Sequence, residues 1–406
     1  MNIPYLKQVK KLQKLIFAIA LVALTFPHCF AQTQNTMPYF TYGKGLGITS
    51  PDSLFMLNIR FRMQNRLGIR TESEDNLDIE EVEARIRRLR LRFDGFIYSK
   101  KLTYVIQLAF TRSDMDYDDT GFPNVIRDAM VMYAINKHFT IGLGQTKLPG
   151  NRQRVNSSGD LQLPDRSIVN SIFNVDRDFG LQLYYNNNIQ SLYYNLRGAI
   201  SSGEGRNFNS TDQGLAYTGR VELLPLGTFT NNGDYFEGDL AREPKPKVSI
   251  GLSASSNINA LRTGGQLGKF LYESRDIRTY MADFLFKFNG WSFSSEFLKR
   301  NTDNPITTNE LGEQRYVYAG HGENYQGSYL FKNNFEIIGR YSQVKPSEQL
   351  TALEETVGQY TLGFTKYIKG HRVKLQSEFT YEDNNWLNTT PDTGSYVVRF
   401  QIEAGI

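Results

Sequence analysis

Five arginines fall within eight residues of the segment ARIRRLRLRFDGF, 84–96: Arg85, Arg87, Arg88, Arg90 and Arg92. A guanidinium keeps its charge and offers a planar fork that fits oxyanions in two-point contact. Arg60, Arg62 and Arg66 alternate with apolar residues in FMLNIRFRMQNR, 55–66. If the two segments are adjacent strands, about 4.8 Å apart, their arginines form one basic wall. That wall would either concentrate small anions or brace loops by pairing with Asp94, Glu83 and loop acids. A third group, Lys147, Arg152 and Arg154, opens the long segment 148–177, with Asp160, Asp165 and Asp176 to oppose it.

Other chemistry finds little support. No His-Glu-x-x-His and no Gly-x-Ser-x-Gly occurs, so the chain does not read as an enzyme. His138, His321 and His371 sit near turns or strand ends, where surface histidines are expected. TGGQLGKF, 263–270, misses a phosphate-cradling loop by one residue, and Phe270 stands where Mg²⁺ needs a hydroxyl. DMDYDD, 114–119, spaces carboxylates as at the start of a Ca²⁺ loop but lacks the following glycine and late glutamate, so an exposed loop face is expected. The acids of 72–83 read first as solvated, with pairing to arginines or bridging of divalent ions at the outer surface as the alternatives. No cofactor and no metal site is expected.

The elements that carry these residues are strands. In 84–96, Leu89, Leu91 and Phe93 alternate with Arg88, Arg90 and Arg92, while Ala84 and Ile86 alternate in the opposite phase. One extra residue at Arg87–Arg88, a β-bulge, reconciles the halves. The same period of two recurs at 55–64, 102–111, 129–135, 280–288, 373–382 and 396–406, with Phe284 and Phe286 opposite Asp283 and Lys287. Tight turns at 98–101, 136–138, 186–189, 289–290, 332–334 and 369–371 alternate with long polar loops. The connector 225–246 breaks that rule by its length. The expectation is an all-β, transmembrane antiparallel barrel of about sixteen strands, with long loops outside and segment 148–177 folded inward as a constriction.

Residues 1–31 read as a secretory signal peptide: Lys7, Lys10, Lys11 and Lys14, then LIFAIALVALTF, then a small-residue cleavage site. Without its four lysines, Lys+Arg falls from 46 to 42, equal to Asp+Glu at 42. The mature chain is then near neutral, so global charge does not point to nucleic acid. It would also lose its one cysteine, Cys29, and with it disulfide and thiolate chemistry. Residues 32–53 would form an N-terminal periplasmic segment and 54–406 the barrel.

Four stretches carry a family resemblance: 42–66, 87–96, RDAMVMYAI through FTIGLGQTKLPGNRQ at 127–153, and PDRSIVNSIFNVDRDFGLQLYY at 164–185. They resemble the phosphate-selective porin O and P family, in its Bacteroidetes-type form. The resemblance implies a homotrimer in the outer-membrane lipid of a Gram-negative bacterium, passing small anions such as phosphate. Arg60, Arg62, Arg66, Arg88, Arg90, Arg92, Lys147, Arg152 and Arg154 are the candidate pore-lining residues. Two other classes compete: a barrel that anchors a surface receptor, which would be plugged in conductance tests, and a barrel hydrolase, which would need a nucleophile that no motif supplies.

Overall fold

The computed structural model describes residues 39–42, 45–208, 214–385 and 393–406; the expected signal peptide lies outside them. The strands in chain order are β1 (Tyr39–Tyr42), β2 (Leu46–Thr49), β3 (Phe55–Thr71), β4 (Ile79–Ile97), β5 (Ser99–Ala109), β6 (Ile126–Ala134), β7 (Phe139–Lys147), β8 (Arg177–Ile189), β9 (Leu192–Ser201) and β10 (Ala216–Leu224). They continue as β11 (Lys247–Arg262), β12 (Phe270–Phe288), β13 (Trp291–Asn301), β14 (Ile306–Thr308), β15 (Gln314–Tyr316), β16 (Gly320–Leu330), β17 (Phe335–Pro346), β18 (Thr356–Tyr367), β19 (Val373–Asn385) and β20 (Thr393–Gly405).

Sixteen of them, all but β1, β2, β14 and β15, form a closed antiparallel barrel. Closure runs from β20 back to β3, with Gln401 opposite Arg66 and Gly405 opposite Arg62. Beyond that point β2 pairs with the start of β3, Leu46 opposite Ile59, and β1 pairs with β2. β14 and β15 form a hairpin within the loop after β13.

The period of two decides what faces where. Along β10, Thr218, Arg220 and Glu222 are buried inside while Tyr217, Val221 and Leu223 are exposed outside. On β12, Asp283 and Lys287 are buried in the lumen and Phe284 and Phe286 alternate outward. A closed wall pairs every strand edge, so an apolar exterior leaves no backbone donor without a partner in lipid.

Among the bulges, two bring extra polar side chains into the lumen. The register between β3 and β4 shifts between Gln64↔Arg88 and Asn65↔Ile86, so Arg87 is the extra residue. That between β5 and β6 shifts between Gln107↔Asp128 and Leu108↔Ile126, so Arg127 is the extra residue. At each bulge two consecutive polar side chains face inward, Arg87 with Arg88 and Arg127 with Asp128. A flat strand would send one of each pair into lipid.

Candidate functional site

The 148–176 loop leaves the fifth barrel strand, β7, and folds into the lumen. Leu148, Val169, Phe173 and Val175 pack there against Met281, Leu298 and Val344 of the wall. The helical turn Ile168–Phe173 starts at Ser167, whose side chain accepts from Asn170 N at 3.2 Å. Lys374 Nζ donates to the loop carbonyls of Gly159 and Leu161 at 2.8 and 2.6 Å. Gln162 Nε2 donates to Glu336 Oε1 at 2.6 Å. Gly363 gives the loop room, since a Cβ there would lie 2.1 Å from Leu163 Cδ2.

Connector 225–246 comes from the opposite end and also enters the barrel. Its 3₁₀ segment, Thr230–Tyr235, turns through left-handed Asn231 and Asn232, a conformation asparagine tolerates. Lys287 Nζ donates to the carbonyls of Gly233, Phe236 and Gly238 at 2.6, 2.8 and 2.5 Å. Tyr235 Oη donates to Glu222 Oε2 at 2.6 Å. The connector and the loop are joined directly: Glu237 N donates to Asp160 O, and Gln162 N to Glu237 Oε2, both at 2.9 Å. His371 Nε2 meets Glu237 O at 3.0 Å, and its ring packs between Phe236 and Tyr367. Burial, then Lys374 and Lys287, hold the His371 imidazole well below its usual range, so it stays neutral. It is a bracing residue, not the surface histidine that its place in a turn suggested.

Loop and connector together fill the side of the lumen walled by β10–β13 and β16–β19. A cavity of about 560 Å³ remains between the loop and the wall of β4–β8. Ten basic residues line it: Arg87, Arg88, Arg90, Arg92, Arg127, Lys147, Arg154, Arg166, Arg177 and Arg206. Five carboxylates line it with them, Asp114, Asp116, Asp119, Asp128 and Asp176, and two more pair with its arginines from just outside, Asp165 with Arg87 and Arg88, and Asp94 with Arg92. Ten basic groups thus face seven carboxylates, an excess of three.

Pairing is uneven. Asp114 takes Arg90 in two-point contact at 2.6 and 2.7 Å, and Arg127 at 3.5 Å. Burial by itself would raise the Asp114 carboxyl, but Arg90 and Arg127 outweigh it and hold it well below the ordinary carboxylate range. Asp128 takes Arg177 at 3.0 and 3.3 Å, and Asp176 takes Arg154. Lys147 and Arg166 have no carboxylate partner among the described residues. Lys147 Nζ donates to Val155 O and Asn156 O at 3.0 and 2.7 Å. Arg166 donates to Gln153 O and to the same Asn156 carbonyl, at 2.5 and 2.9 Å. Two cations thus converge on one carbonyl oxygen at the cavity edge.

Of the nine candidate arginines and lysines, Arg88, Arg90, Arg92, Lys147 and Arg154 line the cavity. The other four face the lumen but are taken up by structure. Arg60 pairs with Asp94, which also accepts from Arg92 at 3.1 Å. Arg62 donates to Ser157 and Ser158 of the loop at 3.2 and 2.8 Å. Arg66 holds Pro164 O at 3.0 Å, Asp165 at 2.5 Å and Gln401 at 2.9 Å. Arg152, expected beside the constriction, is locked into the far wall between Glu222 at 2.9 Å and Asp283 at 3.4 Å. The loop's first helical turn, Arg152–Val155, points it the other way from Arg154. The acidic run at 114–119 is corrected as well: Asp114 and Asp116 turn inward as counter-ions, Asp116 meeting Arg262 at 2.7 Å.

Sequence reasoning missed Arg87, Arg127, Arg166, Arg177 and Arg206. Arg127 had a readable signal, the polar pair Arg127–Asp128 breaking the alternation of Ile126, Ala129 and Val131, as in the bulge at Arg87. Arg166 and Arg206 stand in loops, where no period tells which way a side chain points.

The family model described as phosphate-selective porin O and P matches residues 57–402. An uncharacterized protein of Aquifex aeolicus strain VF5 is 23% identical over 370 residues, covering 81% of this chain and 83% of that protein. The anion-selective porin of Comamonas acidovorans is similar in structure, with a TM-score of 0.53 at 11% identity, over 87% of this chain and 100% of its own. The outer membrane channel DcaP of Acinetobacter baumannii is similar at a TM-score of 0.51 and 12% identity, over 87% and 99% of the two chains.

Proposed function

Because the chain belongs to the phosphate-selective porin O and P family, whose fold makes it an outer-membrane porin, we propose that it is a passive channel, not an enzyme, and that it favours small anions, phosphate among them. We include in the proposal the homotrimer that the family resemblance implies, export by the 1–31 signal peptide, and a periplasmic place for 32–53. On this reading the long loops face outward and the short turns face the periplasm.

The observation that carries the anion preference is the excess of three basic groups at the cavity beside the loop, with Lys147 and Arg166 without a carboxylate partner among the described residues. Two unit charges 4 Å apart interact by about 1 kcal/mol in bulk water and about 4 kcal/mol at the effective dielectric near protein. The paired arginines largely cancel with their carboxylates. Lys147 and Arg166 do not, so they set the sign of the local field. Anions would be drawn to the passage and cations held off.

Reversal potentials in a salt gradient test this. The native channel should favour chloride over potassium, and Lys147→Glu or Arg166→Glu should reduce or invert that preference. A cation-selective channel, indifferent to both changes, would leave the basic wall as a scaffold for the loop. Competition by phosphate for chloride current then measures the finer preference.

A further inference from the structure

The outer wall carries a second basic array, away from the lumen. Lys299 on β13 is the direct cross-strand partner of His321 on β16, which is the direct partner of Lys345 on β17. All three are exposed, while the residues that alternate with them, Leu298, Arg300 and Val344, are buried. They therefore point out of the barrel, on neighbouring strands about 4.8 Å apart. Arg278, exposed on β12, extends the array by one strand. Among the described residues none of the four is in an ion pair.

Their depth is set by an aromatic belt. Tyr325, Tyr341, Tyr360, Tyr381 and Tyr396 are successive cross-strand partners on β16 to β20. Neighbouring rings lie 5.0 to 6.5 Å apart. Such belts mark the level where hydrocarbon meets headgroup. His321 and Lys345 stand four residues beyond Tyr325 and Tyr341, toward the long loops. With strand tilt that is roughly 10 Å, which is headgroup depth.

Carboxylates share this face: Asp383 and Glu74 lie along the tyrosine belt, Glu74 accepting from Tyr381 Oη at 2.5 Å, and two stand nearer the basic row. Glu323, between His321 and Tyr325, accepts from Tyr325 Oη at 3.1 Å. Asp276 on β12 accepts from Asn259 N at 2.9 Å. Neither meets the basic row. At the same end of the barrel the outward residues of β3, β6, β8 and β11 include Ile69, Ile126, Phe179 and Ile258. The basic array is thus one-sided.

We propose that Lys299, His321 and Lys345 form a docking surface for the phosphate groups of an anionic glycolipid in the outer leaflet. Charge complementarity at headgroup depth carries the choice of occupant. Each basic side chain held against an anionic headgroup layer contributes on the order of a fivefold gain in retention.

The test uses the full-length barrel in nanodiscs of phosphatidylcholine doped with either diphosphoryl lipid A or its dephosphorylated form. Lipid that stays with the protein after detergent extraction is quantified by mass spectrometry. The native barrel should retain the diphosphoryl form at least about fivefold better. The triple variant Lys299→Gln, His321→Gln and Lys345→Gln should lose that difference, and Lys299→Arg with Lys345→Arg should keep it. Lys366→Gln, on the outer face near the opposite end, serves as control and should also keep it. Equal retention of the two lipids by the native barrel would overturn the proposal, as would a loss with Lys366→Gln as large as with the triple variant.

Discussion

Lys147 and Arg152 are five residues apart and act on different walls. Lys147 reaches loop carbonyls at the cavity edge and has no carboxylate partner among the described residues. Arg152 is buried between Glu222 and Asp283, with Ser249 and the Asp234 carbonyl completing its hydrogen bonds at 2.8 and 2.9 Å. Its role is therefore structural, and Arg152→Ala should leave ion selectivity unchanged. The same change strips two buried carboxylates of a partner, at a cost of about 3 kcal/mol. Arg220 also meets both carboxylates, at 2.9 and 2.6 Å, and will soften the loss. An unfolding midpoint in urea, followed by the heat-dependent gel shift, measures the stability. Unchanged reversal potentials in the same variant separate the two roles.

At the scale of the element, the bulge at Arg87 decides how much charge β4 can bring inside. A regular strand places every second residue in the lumen, and a slip by one would turn the whole apolar face inward. Inserting one residue lets Ala84 and Ile86 stay outward with Leu89 and Leu91 while Arg87 and Arg88 both face in. Arg87 then reaches Asp165 at 3.2 Å and Ser113 at 3.3 Å, bridging two loops. Deleting Arg87 should leave the apolar halves in phase, so the barrel should still assemble and shift on heating. Anion preference should fall, because Asp165, now shared among Arg66, Arg87 and Arg88, would have one cation fewer to offset it. Loss of assembly in this variant would mean that the bulge is needed for closure.

At the scale of the molecule, the lumen is divided. The loop from one end and connector 225–246 from the other meet at Asp160 and Glu237 and occlude one side. On the proposed reading passage runs on the basic side, where the cavity lies, so the field of the arginine wall would act on a narrow stream instead of a wide pore. Lys287 holds the connector by three carbonyls and sits over the Phe236 ring at 4.3 Å. Lys287→Met removes those three hydrogen bonds and also a positive charge that Asp239, Glu336, Asp234 and Glu237 face, so some loss of stability is expected with it. The expected outcome is a larger and noisier single-channel conductance with the sign of selectivity kept, because the cavity cations are untouched. An unchanged conductance would show that Tyr235 and Glu237 suffice to hold the connector.

The period of two along each segment was enough for the strands, the barrel, the outward Phe284 and Phe286, and the bulge at Arg87. These follow from local alternation, which any strand in lipid must obey whatever its distant neighbours are. The long 148–176 segment after the fifth strand was legible for the same reason, as a gap in that pattern. The partners were not. Arg152 and Arg154 have the same chemistry and neighbouring positions, and only the turn of the loop sends one to Glu222 and the other to Asp176. Arg166 and Arg206 joined the cavity, and Asp114 turned inward, through contacts between residues far apart in the chain. The length of connector 225–246 was plain, but its entry into the lumen depends on Lys287, Glu222 and Asp160, which no local pattern links to it. Which charges cancel is a matter of distance in space, and that was decided only when the barrel closed around the loop.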